Sequence, residues 1–298
     1  MQTTLNPYKR LAQQHALVMF NSPVEAVEKA RTLSGWQHTA KEMERAPAFY
    51  GDTWEGMAQS ALTGSADFAA KARALESKLD RVHVPTAKRA IVESPFGRPC
   101  VGAYLARDPL PCRRAVTVKS SHAPLSIVVS VNSYADVKIN ALESRGVAIA
   151  ALVQSVAMQR PVNLYLSRFC DVSGVNTNAL IRFPTAPLDS HRLAYLLASQ
   201  AFARGLFFAL HRSAKDIFAS LGKPDVKDVA QSWMIIPAGG EKYSQERNCP
   251  FAADLRDYLR SDLLYIPGAF PVSADFDGMM RDPVAWVNAT VAAMTKRA

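Results

Sequence analysis

The sequence predicts an α/β protein whose mostly parallel sheet has helices on both faces, preceded by a small helical region and a basic β ribbon. From residue 121 onward, strand-type and helix-type segments alternate, which is typical of parallel strands joined by crossover helices. Residues 125–131 form a nearly continuous apolar strand, as expected where both faces of a strand are covered. Between residues 81 and 120, five prolines separate short β-type runs and exclude long helices. The predicted segments are therefore 1–80, 81–120 and 121–298.

The first 80 residues predict short helices with side-chain N-caps. Ser22 begins a capping box with proline at the first helical position, and Gly35 is expected to end that helix. Residues 52–55 repeat the capping pattern, and Gly64 ends the helix that follows. Ser65 begins a third helix that reaches about residue 79. The apolar stripe of this third helix is expected to face a core.

Residues 81–120 predict a small antiparallel ribbon with strands at 90–92, 101–105 and 115–118. Eight basic residues stand against two acidic ones here, so the segment carries +6 of the net charge of +9. Neighbouring cations act on the same phosphates, which favours a polyanion as the partner. The alternative is a solvated connector whose arginines face water. The predicted nucleic-acid-binding residues are Lys88, Arg89, Arg98, Arg107, Arg113, Arg114 and Lys119.

The segment after residue 121 is assigned from its hydrophobic pattern. In chain order the predicted elements are a strand at 125–131, a helix at 140–159, strands at 162–169 and 178–183, a long helix from Asp189 and Ser190 past Leu210, a strand at 232–237, a helix at 251–260, a strand at 263–266 and a last helix opened by Asp282 and Pro283. These elements predict one α/β domain.

Composition excludes several classes of protein. Hydrophobic residues make up 49% of the chain and charged residues 20%, which excludes an intrinsically disordered protein. The longest uncharged apolar run, residues 147–159, is too short to span a bilayer. The first ten residues contain no apolar signal region, so we expect a cytoplasmic protein without a membrane partner.

The familiar nucleotide-binding and hydrolase motifs are missing from the sequence. Neither G-x-G-x-x-G nor G-x-x-x-x-G-K-[ST] occurs, and there is no G-x-S-x-G elbow. Ser190, His191 and His211 could meet an acid in space, but capping or surface roles are favoured because a triad is defined by geometry. We predict no catalytic residue and no cofactor.

Metal-binding patterns are equally sparse. The cysteines lack the C-x-x-C spacing of zinc sites and are expected to be free thiols. Asp275 and Asp277 could hold a hard cation through oxygen ligands, but the other ligands of a calcium loop are missing. No metal site is therefore predicted, although a cation at these two aspartates stays an open alternative. The four cysteines are Cys100, Cys112, Cys170 and Cys249.

Binding of single-stranded nucleic acid needs aromatic stacking platforms as well as charge. The basic segment contains Phe96 and Tyr104. Four aromatic residues of the N-terminal region either add such platforms or anchor the core: Trp36, Phe49, Tyr50 and Trp54.

The order of elements from residue 125 onward resembles the von Willebrand factor A-like fold. Domains of that fold usually carry D-x-S-x-S at the end of the first strand, where it binds Mg²⁺ with a threonine and an aspartate from later loops. Here Ser130 occupies the place of the leading aspartate, and Asn132 and Tyr134 follow it. The resemblance implies the scaffold with a degenerate loop that binds no metal, since hard cations need anionic oxygen donors.

Residues 35–64 resemble the opening of uncharacterised bacteriophage proteins that carry a similar degenerate domain. The resemblance rests on residues 35–36, 49–55 and 61–64. It implies a phage early or accessory factor acting in the host cell cytoplasm.

These observations predict a non-enzymatic, phage-type accessory factor that binds nucleic acid, or a nucleic-acid machine, through the basic segment. The alternative is a protein–protein adaptor that uses the top of the α/β sheet, where the loops after the strands converge. A third hypothesis is an enzyme whose site has no familiar motif. The sequence leaves the oligomeric state and the type of nucleic acid open.

Overall fold

The structure is a computed structural model. It describes residues 2–5, 14–78, 87–94, 98–107, 109–110, 112–119, 124–131, 137–158, 160–172, 175–185, 188–220, 259, 262–266, 268–269 and 274–295. The described strands are β1 (Gln2–Leu5), β2 (Gln14–Phe20), β3 (Ala87–Ser94), β4 (Arg98–Pro99), β5 (Cys112–Lys119), β6 (Leu125–Ser130), β7 (Val162–Val172), β8 (Val175–Phe183) and β9 (Asp262–Ile266).

The described helices number twelve, with one π-helical segment between the eighth and the ninth. They are α1 (Pro23–Ala30), α2 (Gly35–Arg45), α3 (Pro47–Tyr50), α4 (Trp54–Thr63), α5 (Ala66–Glu76), α6 (Val101–Leu105), α7 (Ile139–Ala157), α8 (Ser190–Ala198), the π-helical segment (Ala201–Leu206), α9 (Phe207–Arg212), α10 (Ala214–Ser220), α11 (Ala274–Arg281) and α12 (Pro283–Thr295).

Six of the strands form one sheet in the order β1-β2-β8-β7-β6-β9. β6 pairs in parallel with β7 and β9, and β2 pairs in parallel with β8. β1 is antiparallel to β2, and β7 is antiparallel to β8. Every residue of β6 is buried, so both faces of this strand are covered. The predicted α/β class with a mostly parallel sheet and covering helices is confirmed.

The segments on either side of the basic region fold together. Met1–Asp80 and Pro124–Ala298 form one compact unit, here called the sheet unit, and Arg81–Ala123 form a second, the ribbon unit. The expected separation of residues 1–80 from 121–298 is therefore wrong. The reason is β2, whose backbone pairs with β8 along its whole length.

β2 lies in a region that we expected to be helical throughout. Its residues Leu17, Val18 and Phe20 are buried. In register, Met19 pairs with Leu180, which is far away along the chain. A short apolar run such as this one has no periodicity that separates a strand from a buried helix. Pairing with the distant strand β8 decides that this run forms a strand.

The predicted N-caps of three helices are confirmed. Ser22 Oγ accepts from Glu25 N at 3.1 Å, Thr53 Oγ1 accepts from Gly56 N at 3.2 Å, and Ser65 Oγ accepts from Phe68 N at 3.4 Å. Gly35, expected to end a helix, instead begins α2. A side chain there would collide with Ala209 O of α9, so the glycine permits close packing of these two helices.

The predicted long helix after Asp189 is broken into shorter pieces. α8 ends before Ser199, whose ψ of 124° is extended, and the chain then enters the π-helical segment. Ser199 Oγ accepts from Phe202 N at 3.2 Å and so caps the next segment.

Among the described helices, none alone is long and apolar enough to cross a membrane. Ser190–Ala198 and Ala201–Leu210, bent by 64°, meet that criterion only as a pair.

The ribbon unit contains a three-stranded antiparallel sheet in the order β3-β5-β4. The predicted strand at residues 101–105 is wrong, because this segment forms α6. Tyr104 N donates to Cys100 O at 2.9 Å, and Ala106 N donates to Gly102 O at 3.0 Å. These local bonds replace the ladder that the β-type composition of the segment suggested.

Two predicted elements, at 232–237 and 251–260, lie outside the described residues apart from residue 259. The last predicted helix is confirmed as α12. Asp282 Oδ1 caps it by accepting from Ala285 N at 2.9 Å. Asp275 and Asp277 lie in helix α11 and not in a loop after a strand.

Candidate functional site

The register of the ribbon sheet collects basic residues on one face. Arg89 pairs with Thr117, and both Glu93 and Arg98 pair with Arg113. Residues paired across strands share a face, and residues two apart along one strand do too. The face that holds Arg113 therefore also holds three further basic positions. The four positions, here called the basic face, are Arg89, Arg98, Arg113 and Lys119.

The other three predicted basic residues are placed elsewhere. Lys88 and Arg114 occupy positions on the opposite face, together with Ala90 and Val116, which pair with each other. Arg107 follows α6, is exposed, and has a φ of +56°, in the left-handed region that few non-glycine residues adopt. The structure thus brings together four of the seven residues and separates three.

The basic face contains one acidic position, Glu93, opposite Arg113. Four cationic positions and one anionic position leave this face with a net positive charge. Arg98 and Arg113 are paired directly, so two cationic positions adjoin at one end of this face.

Helix α6 gives the ribbon unit exposed apolar side chains. Val101 is 70% exposed, Tyr104 68% and Leu105 76%. Positions 101, 104 and 105 lie on one side of a helix because they are three and four residues apart. Tyr104 provides an accessible ring of the kind on which bases stack.

The N-terminal aromatic residues are core anchors and not stacking platforms. Tyr50 and Trp54 are each 3% exposed. Trp36 packs edge-on against Trp54 with ring centroids 6.3 Å apart, and Phe49 stacks against Phe208 at 6.2 Å. These rings hold the N-terminal helices to α9 and to one another. Burial keeps bases away from Tyr50 and Trp54, whereas Trp36 and Phe49 are half-buried and are used in packing.

The degenerate metal-site loop is described only at its first two residues, Ser130 and Val131. Ser130, at the end of β6, is buried, and its carbonyl accepts from Arg145 Nη2 at 2.9 Å. Burial lowers the pKa of Arg145 to about 10, so the guanidinium stays cationic at neutral pH. A cation at this position repels a divalent metal ion. Asn132 and Tyr134 lie outside the described residues.

Two further buried arginines near the end of the sheet donate hydrogen bonds to backbone carbonyls. Arg204 Nη1 donates to Phe49 O at 2.7 Å, and its guanidinium lies 4.1 Å from the centroid of the Phe49 ring. Arg168 Nη1 donates to Ala203 O at 3.1 Å. These contacts join α3, the π-helical segment and β7. No sequence pattern marks these contacts, because the partners of both arginines are backbone carbonyls.

Ser190 and His191 meet an arginine. Arg73 Nη2 donates to Ser190 Oγ at 3.1 Å and lies 3.2 Å from His191 Nε2. Asp189, the nearest acid in sequence, caps α8 by accepting from His191 N at 3.0 Å. The side chain of His211 lies outside what the structure describes. Within the described part of the chain, no group of three His, Cys, Asp or Glu residues is placed to hold a metal ion.

A family model described as a domain of unknown function, DUF7192, matches residues 3–263. The chain belongs to this family. No curated protein and no solved structure matches it significantly.

The DUF7192 match includes the whole ribbon unit as well as the N-terminal strands of the sheet unit. The basic face therefore lies within the DUF7192 domain and not in an extension of it. Helices α11 and α12 follow the matched residues.

Proposed function

We propose that this DUF7192 chain binds nucleic acid through the ribbon unit and acts as a non-enzymatic accessory factor. The observation that carries the proposal is the strand register that places Arg89, Arg98, Arg113 and Lys119 on one face. The ribbon unit, residues 81–123, is compact. Its 43 residues carry the same net charge of +6 as residues 81–120, because residues 121–123 are uncharged.

The spacing of the basic face suits a phosphate backbone. Arg98 and Arg113 pair with each other at one end of the basic face. Arg89 and Lys119 lie toward the other end, because Arg89 pairs with Thr117, two residues before Lys119. Arg89 lies four strand residues from the Arg113 end, about 13 Å, and Lys119 lies six residues from it, about 20 Å. Charges this far apart contact different phosphates of one strand, while Tyr104 supplies a surface for base stacking.

The sheet unit supports a finer proposal about fold and origin. β6, α7, the antiparallel pair β7 and β8, and α8 follow the element order of the von Willebrand factor A-like fold, and β9 returns beside β6. We propose a degenerate domain of that type. The resemblance of residues 35–64 to phage proteins supports a phage-encoded factor in the host cytoplasm.

Two neighbouring arginines give a matched test. Arg113 occupies the basic face and Arg114 the opposite face, so Arg113→Glu and Arg114→Glu make the same charge change one residue apart. Fluorescence anisotropy with labelled single-stranded and duplex oligonucleotides measures affinity at several salt concentrations. Four phosphate contacts predict a slope of about 3 to 4 in log affinity against log salt. Arg113→Glu should weaken binding at least about tenfold and lower the slope by about one.

Arg114→Glu is the control for general charge loss and should change affinity much less than Arg113→Glu. Circular dichroism checks that both variants keep the wild-type fold. Equal losses in the two variants would mean that the basic face has no special role. If wild-type protein binds no oligonucleotide at low salt, the proposal fails and the protein–protein adaptor becomes the leading hypothesis.

A further inference from the structure

A cleft of about 330 Å³ opens on the sheet unit, away from the ribbon strands in sequence. It lies between the C-terminal ends of α5 and α7 and the segment that enters α8. Arg73 and Glu76 line it from α5, and Gln154 and Met158 from α7. Its volume falls at the lower end of the range for small-molecule sites.

Gln154 is one of the residues that line this cleft, and its side-chain amide is left unpaired by the described residues. Its side chain is buried, with 6% of the residue exposed. Neither its Nε2 nor its Oε1 has a hydrogen-bond partner in the described part of the chain. A buried amide in this state lowers stability, and such groups are uncommon in native proteins. Its donor and acceptor together match the N–H and C=O of another amide.

Arg73 places a cation in the same cleft. Its Nη2 is held by Ser190 Oγ at 3.1 Å and by His191 Nε2 at 3.2 Å, which fixes the guanidinium. The two remaining nitrogens, Nη1 and Nε, make no hydrogen bond to a described residue. Nη1 therefore keeps donors that can make a charge-assisted hydrogen bond to one oxygen of a carboxylate.

Glu76 adds an opposite charge one helical turn away on α5. Burial raises the pKa of its carboxyl group, and the charge of Arg73 lowers it by less. A ligand cation beside Glu76 would stabilise the ionised form. Met158 and Leu188 supply apolar surface at the same cleft. The lining thus has one cation, one carboxyl group, one amide and an apolar part.

We propose that this cleft binds a small zwitterion that contains an amide, the chemistry of a dipeptide. Gln154 pairs with the peptide amide, Arg73 takes the carboxylate and Glu76 takes the ammonium group. The apolar side chain of the ligand packs against Met158 and Leu188. The site is independent of nucleic-acid binding, because it uses no residue of the ribbon unit.

Equilibrium dialysis of the full chain with labelled glycyl-leucine tests the site. Wild-type protein should bind the dipeptide, and Gln154→Met should weaken binding at least about tenfold. N-acetyl-glycyl-leucine lacks the ammonium group and glycyl-leucinamide lacks the carboxylate, so each should bind at least about tenfold more weakly than glycyl-leucine. Arg113→Glu should leave dipeptide binding unchanged, which separates this proposal from the one for nucleic acid.

Thermal unfolding without ligand gives a second readout. Gln154→Met keeps the side-chain volume and removes an unpaired amide, so its melting temperature should rise. Gln59→Met, at an exposed glutamine of α4, is the control and should leave the melting temperature unchanged. A lower melting temperature for Gln154→Met would show that the amide is already satisfied, and the proposal would fail. Absence of glycyl-leucine binding at millimolar concentration would also overturn it.

Discussion

The carboxylate of Glu42 joins three helices of the sheet unit. Its Oε2 accepts from Tyr50 Oη at 2.9 Å and lies 2.7 Å from Arg212 Nη2. Its Oε1 lies 3.0 Å from His38 Nε2. Arg212 Nη1 also donates to Thr39 Oγ1 at 3.0 Å, so one arginine ties α9 to α2 through two partners. Loss of the carboxylate would take this acceptor from the buried Tyr50 hydroxyl and from the half-buried Arg212 guanidinium.

Burial raises the pKa of Glu42. Hydrogen bonds from Arg212 and Tyr50 and the charge of Arg212 together lower this pKa by more, so the net shift is downward. A lowered folded-state pKa means that the ionised carboxylate stabilises the fold above the unfolded value. This stabilisation is lost as the pH falls through the folded value. We expect Glu42→Gln to reduce the free energy of unfolding at pH 7 by about 1–3 kcal/mol. Urea denaturation measures the change.

The control for this residue is Glu55→Gln. Glu55 pairs with Arg31 at the surface, where the side chains are 73% and 41% exposed, so its loss should change stability little. The difference between wild type and Glu42→Gln should also shrink as the pH falls below about 4. A difference that stays constant down to pH 2 would show that the charge of Glu42 is not what stabilises the three helices.

At the scale of elements, β6 is the fully buried core strand of the sheet unit. It lies between β7 and β9, and Ile127 pairs with Leu164 on one side and Leu264 on the other. Ile127 is fully buried. Truncation of a buried aliphatic side chain leaves a cavity, because close-packed neighbours relax only in part.

Ile127→Ala should therefore lower the free energy of unfolding by about 2–5 kcal/mol, and Ile127→Val by about 0.5–1.5 kcal/mol. Leu62→Ala, at a residue of α4 that is 48% exposed, should change it by less than about 0.5 kcal/mol. Denaturant melts of the three variants give the comparison. If Ile127→Ala were as mild as Leu62→Ala, β6 would not be the core strand.

At the scale of the whole molecule, residues from both ends of the chain complete the sheet unit. β2 covers the edge of β8, and helices α4 and α5 pack against α8. Met43, Tyr50 and Met57, all from the N-terminal region, are buried. A fragment that begins at residue 121 would expose the surfaces that these elements cover.

The fragment 121–298 should not unfold cooperatively when it is expressed alone. Exposed apolar surface and an open strand edge favour aggregation over folding. A matched chain, in which a Gly/Ser linker replaces residues 81–123, keeps every element of the sheet unit and should unfold cooperatively. Calorimetry compares the two. A cooperative transition in the fragment would show that residues 1–80 are dispensable for the fold.

The sequence alone determined the features that depend on near neighbours. The caps at Ser22, Thr53 and Ser65 were predictable because a cap bonds a backbone N–H only three residues away. β6 and α7 were predictable because the burial of each element imprints a hydrophobic pattern on its own residues. The concentration of positive charge in residues 81–120 was also visible without a structure.

Tertiary structure decided what depends on distant partners. β2 became a strand because β8 pairs with it, and the basic face exists because the register sets Arg98 opposite Arg113. The cleft around Gln154 forms only where α5, α7 and the start of α8 meet. A single sequence carries no record of which distant segments pair, because pairing is selected by the packing energy of the whole chain and not by local propensity.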